Sequence, residues 1–218
     1  MTGKAAPLDG LPPGVVLAGG EGRRLGMGTK PLVSLAGQPV IAHVILALKP
    51  QTYSLALSVR ENQAWAKDLG LSIVVDAKNA TGPLAGIAMA MTWAREKYPE
   101  TTTVFTCPAD SPFIPDDLVA RLAAVMDEET DIVVATSGGQ RHHLTALWNL
   151  RIAEDVAAAL RGPDAVAIHR FQMRHRIHEV SWPTTPFDPF LNINTADDLT
   201  EADRIWSIAH TANGTVHE

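Results

Sequence analysis

Cysteine is nearly absent from this chain, which carries only Cys107 among its 218 residues. A single cysteine excludes an internal disulfide and a zinc cluster built from cysteines. Long basic runs are absent too, and the formal net charge is −6. Nucleic-acid binding needs basic surface to neutralise phosphates, so this charge balance argues against nucleic acid as the main partner.

Long apolar runs are also missing. No stretch approaches the length of a membrane span, and residues 1–13 hold one lysine and no apolar core, unlike a signal peptide. We therefore expect no membrane association and a cytoplasmic location. Apolar residues still occupy 46% of positions, enough for a sizeable core. The length suits one domain, which we expect at 14–210, between an N-terminal extension, 1–13, and a flexible tail, 211–218.

Apolar runs with strand character alternate with helical patterns along the chain. The continuous apolar run at 14–18 is typical of a strand buried in a parallel sheet. The alternation predicts an α/β fold, a Rossmann-like three-layer αβα sandwich with a mostly parallel central sheet. Two strands around a turn at 137–141 predict a small antiparallel hairpin extension, and 116–126 is predicted as a helix with two aspartates in its first turn. Ligands of such sheets bind outside the carboxyl ends of the strands, so functional residues should directly follow strands.

The most distinctive segment, residues 15–32, begins as the first predicted strand and continues into a loop. The loop is rich in glycine and contains Arg23, Arg24 and Lys30. Glycine lets backbone amides approach a ligand closely, and successive amides form anion-binding concavities. The segment therefore predicts a phosphate-binding loop for a nucleoside triphosphate. Lys30 lacks the following Ser or Thr of a Walker A motif, and the glycine spacing is one residue too long for the dinucleotide fingerprint.

Two aspartates directly follow predicted strands. Asp110 lies in a loop stiffened by prolines, and Asp76 precedes Gly82, which opens the next predicted helix. Mg²⁺ is typically held by one or two carboxylates together with phosphates and waters, so Asp110 is a candidate metal ligand. An Asx turn or a helix cap is the alternative interpretation of Asp110. The helix start at Gly82 offers free N–H groups to an anionic ligand.

These segments resemble the molybdenum cofactor guanylyltransferase (MobA) family, within the NTP-transferase superfamily. Residues 17–30 match its LAGG…R…G…K signature, and further similar blocks surround Asp110, 82–86 and 192–195. The resemblance implies transfer of GMP from GTP to the phosphate of molybdenum-molybdopterin, with release of pyrophosphate and with Mg²⁺ as cofactor. It implies GTP and molybdopterin as small-molecule partners, with molybdoenzyme maturation proteins as candidate protein partners.

The resemblance also assigns roles to individual residues. The catalytic residues are expected to be Arg23, Lys30 and Asp110, with Asp110 as the metal ligand. The expected nucleotide-binding residues are Leu17, Ala18, Gly19, Gly20, Lys30, Ser58, Asp76, Gly82 and Asp110. The expected pterin side comprises His143, Asn192 and Asn194. The alternatives are a solvated His143 and helix capping by Asn194 or Thr195.

Two positions depart from the family pattern. Ser58 stands where related guanylyltransferases often carry an asparagine near the base, with Asn62 as a candidate replacement, and Leu144 lies in a block that usually reads His-Pro. Ser58 leaves open a CTP-using molybdopterin cytidylyltransferase or another nucleotidyltransferase with a sugar- or polyol-phosphate acceptor. Both departures leave open a non-catalytic nucleotide-binding partner in cofactor assembly, against which the intact phosphate loop and Asp110 argue.

Overall fold

The computed structural model describes residues 10–19, 30–60, 63–76, 82–161 and 166–213, apart from the side chains of residue 30 and of 210–213. The strands are β1 (Gly14–Leu17), β2 (Ser34–Leu35), β3 (Gln38–Pro39), β4 (Leu55–Val59), β5 (Ser72–Val75), β6 (Thr103–Pro108), β7 (Ile132–Ser137), β8 (Gln140–Asn149) and β9 (Ile177–Trp182). The α-helices are α1 (Val40–Leu48), α2 (Ala64–Lys67), α3 (Pro83–Lys97), α4 (Leu118–Ala123), α5 (Ala153–Arg161), α6 (Ile168–Gln172) and α7 (Ala196–Asn213). In this described part of the chain, no helix combines the length and apolar character needed to cross a bilayer.

Seven strands form one sheet in the order β5-β4-β1-β6-β8-β7-β9. Strand β8 pairs antiparallel with both neighbours, whereas the other neighbouring strands pair in parallel. This mostly parallel sheet confirms the predicted α/β class. The predicted hairpin is formed by β7 and β8, and both strands belong to the central sheet. Strands β2 and β3 form a separate antiparallel pair.

Helices cover both faces of the sheet. Successive side chains of a strand point to opposite faces, and in β1 both faces are apolar. Val15 belongs to one buried cluster with Ile87 of α3, and Val16 belongs to the other with Val44 of α1. Burial on both sides explains why this strand is a continuous apolar run, and it confirms the predicted three layers.

Helix α4 is shorter than the helix predicted over 116–126. It begins at Leu118, so both aspartates precede it, and the prediction that they lie in its first turn is wrong. The carboxylate of Asp117 makes no capping bond and instead accepts from Trp182 Nε1 at 3.1 Å and from Arg121 Nη1 at 3.5 Å. The Asp117 carboxylate therefore bonds to a distant strand and to a later turn of its own helix, although the sequence pattern predicts it within the first turn.

The parallel strands β5, β4, β1 and β6 end at the same edge of the sheet. Backbone hydrogen bonds continue just beyond these ends: Ala18 N donates to Ser58 O at 2.8 Å, and Ala109 N donates to Leu17 O at 3.1 Å. The loops that leave the strands are therefore held side by side at their first residue. This edge is where the sequence predicts the functional residues.

Candidate active site

A cleft of about 350 Å³ opens at this edge, between the ends of the parallel strands and the N-terminus of α3. Predicted nucleotide-binding residues from five separate segments line it. They are Leu17, Gly19, Ser58, Asp76, Gly82 and Asp110. The fold therefore brings together residues that lie up to 93 positions apart in the chain, from 17 to 110.

Asp76 and Ser58 form one wall of the cleft. Ser58 is buried in β4, and its Oγ donates to Asp76 Oδ1 at 2.7 Å. Burial raises the pKa of Asp76 above its ordinary value, although the bond from Ser58 and the charge of Arg60 act in the opposite direction. A half-buried carboxylate in this position can accept hydrogen bonds from N–H or O–H groups of a ligand.

Two glycines allow the backbone to approach this wall closely. A Cβ on Gly19 would lie 2.8 Å from Asp76 Oδ2. A Cβ on Gly86 would lie 3.1 Å from Leu17 Cδ2 and 3.4 Å from Ser58 Oγ. A side chain at Gly19 would therefore press on Asp76, and one at Gly86 would press on Leu17 and Ser58.

Helix α3 begins at the floor of the cleft. Its N-cap is Gly82, at φ +84°, a conformation that favours glycine, and Pro83 follows at the first helical position. No side chain caps the helix, although Pro83 has no N–H and Ala85 N donates to the carbonyl of Gly82 at 3.2 Å. The positive end of the helix dipole favours an anion here.

Asp110 follows β6 and lines the cleft opposite α3. Its backbone carbonyl accepts from Ile193 N at 2.9 Å, which holds its loop against a distant segment of the chain. A carboxylate oxygen is the hard ligand that Mg²⁺ prefers, with substrate phosphates and waters completing the shell. Within the described ranges no three His, Cys, Asp or Glu side chains form a metal-binding group. The Asp110 carboxylate at the cleft fits a Mg²⁺ ion that also binds phosphates and waters.

Asn192 lies beside the Asp110 loop. Its Oδ1 accepts a short hydrogen bond from Ser111 Oγ, and the next residue, Ile193, donates to the carbonyl of Asp110. The structure therefore places one residue of the predicted pterin side directly next to the predicted metal ligand.

Asn194 and Thr195 lie at the start of α7. Thr195 Oγ1 accepts from Asp198 N at 3.1 Å, and Asp198 Oδ2 accepts from Thr195 N and from Asn194 N, each at 2.8 Å. This reciprocal pattern is a capping box. Thr195 therefore caps α7, and the cap fixes the backbone of Asn194 immediately before the helix.

His143 contacts helix α6 rather than the lining of the cleft. Its Nδ1 forms a short hydrogen bond with Gln172 Oε1, and Gln172 Nε2 donates to the carbonyl of His143 at 3.1 Å. The preceding residue, His142, contacts Ser137 and Phe190 instead. The sequence pattern favours His143 of these two histidines, and it does not show which of them lies nearer the site, because side chains of neighbouring strand residues point to opposite faces.

Part of the predicted phosphate loop lies outside the described residues. Gly20 and Arg23 of that loop lie outside the described residues, and so does Asn62, the candidate replacement near the base. Lys30 is described only by its backbone, at the start of a short 3-10 helix. Their roles remain predictions. Ala18, one of the expected nucleotide-binding residues, donates its amide to Ser58 O at 2.8 Å, so this amide is not available to a phosphate.

Comparison with known proteins independently supports the family that the sequence resembles. A family model for the MobA-like NTP transferase domain matches residues 14–179. The chain is 44% identical over 195 residues to a molybdenum cofactor guanylyltransferase of Bradyrhizobium sp. (strain ORS 278), covering 88% of this chain and 92% of the relative. It is 42% identical over 195 residues to a molybdenum cofactor guanylyltransferase of Rhodopseudomonas palustris (strain BisB5), covering 88% and 93%.

A solved structure shares the fold. Molybdopterin-guanine dinucleotide biosynthesis protein A from Archaeoglobus fulgidus superposes with a TM-score of 0.69 at 24% identity, covering 90% of this chain and 99% of that one. The family model and these relatives identify the class as a nucleotidyltransferase, which the sheet and the cleft at its edge fit. Within that class, the chain belongs to the MobA-like NTP transferase domain family.

Proposed function

We propose that this protein transfers GMP from GTP to the terminal phosphate of molybdenum-bearing molybdopterin and releases pyrophosphate. The observation that carries the proposal is the cleft, where the Ser58–Asp76 pair, the N-terminus of α3 and Asp110 meet at one sheet edge. The relatives named as molybdenum cofactor guanylyltransferases support the choice of substrates. We place the reaction in the cytoplasm, which supplies GTP.

The order of the strands suggests how the substrates lie. Asp76 follows β5, and Ser58 lies near the end of β4. Asp110 follows β6, and Leu144 lies on β8. Neighbouring strands are about 4.8 Å apart, so β4 and β8 are separated by roughly 14 Å. The base would lie over β4 and β5, the phosphates over β1 and β6 near α3, and the acceptor over β8.

Asp76 supports guanine as the base. Its carboxylate accepts hydrogen bonds, and the Watson–Crick edge of guanine presents N1–H and N2–H₂ donors. Cytosine presents acceptors at O2 and N3 with a single amino group. With Ser58 donating to Asp76 Oδ1, the carboxylate is held in one orientation toward the cleft. Ser58 therefore fits guanine selectivity through Asp76 rather than by contacting the base as an asparagine would.

The chemical step forms a bond from an oxygen of the molybdopterin phosphate to the α-phosphorus of GTP. The bond from that phosphorus to the bridging oxygen of the leaving pyrophosphate breaks. The attacking phosphate is already ionised, so the protein needs no general base. Its work is to align two polyanions and to stabilise the developing charge. The positive end of the α3 dipole would face the phosphates, and Arg23 and Lys30 would stabilise the α-phosphate and the leaving pyrophosphate, as the family resemblance implies.

Asp110 would hold Mg²⁺, which when bound neutralises phosphate charge. We expect Asp110→Ala to lower the rate of dinucleotide formation by about 100-fold or more, because it removes charge stabilisation from the transition state. The measurement is the formation of dinucleotide and pyrophosphate from GTP, molybdopterin and Mg²⁺. Asp116→Ala, an exposed aspartate further along the same loop, is the matched control and should keep its activity.

Two outcomes would contradict these assignments. Full Mg²⁺-dependent activity of Asp110→Ala would remove the metal role from that residue. Faster transfer from CTP than from GTP by the unsubstituted protein would instead identify a cytidylyltransferase.

A further inference from the structure

Three polar side chains form a hydrogen-bonded chain where β7 meets β8. Ser137, the last residue of β7, is 1% exposed. Its Oγ donates to Asp188 Oδ1 at 2.8 Å and lies 2.6 Å from Nε2 of His142. Asp188 Oδ1 also accepts from Phe190 N at 2.9 Å, which holds the carboxylate in place.

This chain fixes where the proton of the His142 ring lies. A serine hydroxyl has one proton, and Ser137 gives it to Asp188, because a carboxylate can only accept. Ser137 Oγ must therefore accept from His142, so Nε2 carries a hydrogen and Nδ1 of the neutral ring carries the lone pair. Burial lowers the pKa of His142, and so does the adjacent His143, while Asp188 acts in the opposite direction. The neutral ring is therefore favoured at neutral pH.

His142 lies on β8, two residues before Leu144, which lines the cleft. The His142 ring packs on Phe190 with 4.5 Å between ring centroids. Phe190 belongs to the segment 188–194, which also bonds to the carbonyl of Asp110 through its Ile193 amide. One segment therefore connects His142 to the loop that carries the predicted metal ligand.

We propose that His142 binds the acceptor substrate by accepting, at Nδ1, a hydrogen bond from an N–H or O–H group of its heterocycle. Ser137 and Asp188 are positioning residues that hold the ring in the accepting tautomer. The inference rests on the proposed function for the identity of the acceptor, a pterin rich in N–H groups. A ring fixed in this way discriminates in favour of a donor, since a ligand that presents only lone pairs would be repelled by Nδ1.

Two substitutions separate the two nitrogens. His142→Gln can place an amide N–H near the position of Nε2 and keep the bond to Ser137, but it has no acceptor near Nδ1. His142→Asn can place its carboxamide oxygen near the position of Nδ1 and keep the acceptor. Because one hydrogen bond is lost, we expect His142→Gln to raise KM for molybdopterin about tenfold. The KM for GTP and kcat should stay within about twofold, and His142→Asn should recover part of the lost affinity.

The positioning role has its own readout. In the unsubstituted protein, nitrogen NMR of the His142 ring should show the Nε2–H tautomer, and Ser137→Ala should give a mixture of tautomers. A purely structural role of Ser137 would change the melting temperature without changing the tautomer. An Nδ1–H tautomer in the unsubstituted protein would overturn the inference.

The matched control is His178→Gln, which removes an exposed ring on β9 and should leave both KM values unchanged. A higher KM for molybdopterin in His143→Gln, but not in His142→Gln, would overturn the inference and assign the contact to His143. Calorimetric titration with molybdopterin, without GTP, separates this inference from the proposed function. Unsubstituted protein that binds molybdopterin but forms no dinucleotide contradicts the proposed transfer alone, whereas equal binding by His142→Gln contradicts the role of His142. Failure of the unsubstituted protein to bind molybdopterin contradicts both.

Discussion

Asp76 occupies a position that suits a ligand better than it suits the free protein. Burial raises its pKa, so the folded chain binds a proton at this carboxyl more tightly than the unfolded chain does. The pKa of such a carboxyl is higher in the folded chain than in the unfolded chain. The free energy of unfolding therefore falls as pH rises from the unfolded pKa through the folded pKa, and above the folded pKa the group stabilises the fold least. At neutral pH the ionised carboxylate is therefore a cost to the free protein, which bound N–H donors would offset.

We therefore expect Asp76→Asn to separate stability from binding. The melting temperature at pH 7 should be equal to or higher than that of the unsubstituted protein, because asparagine can still accept from Ser58 without a buried charge. The affinity for GTP should fall about tenfold or more, as expected for a lost hydrogen bond to a charged group. Thermal unfolding and calorimetric titration measure the two effects. A lower melting temperature with unchanged GTP affinity would show that Asp76 is structural.

Single residues also show what the sequence can and cannot predict. Asp76 and Asp110 are predictable because both directly follow apolar strands, where the ligands of parallel sheets bind. The Ser137–Asp188 bond joins residues 51 positions apart, and Asp188 lies in a segment without helix or strand periodicity. Such a contact depends on how the sheet is assembled, so no local pattern reports it.

A strand was predictable where both of its faces are buried, because such a strand is a continuous apolar run in the sequence. The first strand begins at its predicted first residue, Gly14, and ends one residue before its predicted limit. The separate pair β2 and β3 was not predicted, because two residues per strand are too few to show a period of two. Helix α4 is shorter than predicted, since both aspartates precede it and the Asp117 carboxylate bonds to Trp182 instead of capping the first turn.

The N-terminus of α7 connects an element to the site. We expect Thr195→Ala to cost about 1 kcal/mol by removing the cap, which corresponds to a melting temperature about 2–4 °C lower. Thr195 Oγ1 holds the start of α7 around Asp198, whose Oδ2 accepts from Asn194 N, so without the cap the KM for molybdopterin should rise while that for GTP stays unchanged. The matched control is Thr200→Ala, an exposed threonine within α7, which should change neither KM. Equal effects of both substitutions would argue against a specific role of the cap.

The whole molecule adds the order of the strands, which the sequence does not contain. Chain order and sheet order differ: β1 lies between β4 and β6, and β8 separates β6 from β7. This arrangement brings the ends of β4 and β5 to one side of β1, and Asp110 with the 188–194 segment to the other. A nucleotide in the cleft would therefore contact segments from most of the length of the chain.

Ligand-induced stabilisation tests this arrangement as a whole. A ligand that binds only the folded state stabilises it by about 2.7 kcal/mol at 100 times its Kd. For a domain of this size, 1 kcal/mol corresponds to about 2–4 °C, so saturating GTP with Mg²⁺ should raise the melting temperature by roughly 5–10 °C. CTP, ATP and UTP at the same concentration should give smaller shifts, because their bases lack the paired N1–H and N2–H₂ donors that Asp76 can bind.

Asp76→Asn supplies the internal control for that measurement. Its GTP shift should shrink toward the CTP value, because the substitution removes the charged acceptor and leaves the phosphate contacts in place. A shift that remains large and specific for GTP in this variant would move base selection away from Asp76. A larger shift with CTP than with GTP in the unsubstituted protein would mean that the edge formed by β4 and β5 reads a different base. The strand order would then still explain how the substrates lie, but not which nucleotide is used.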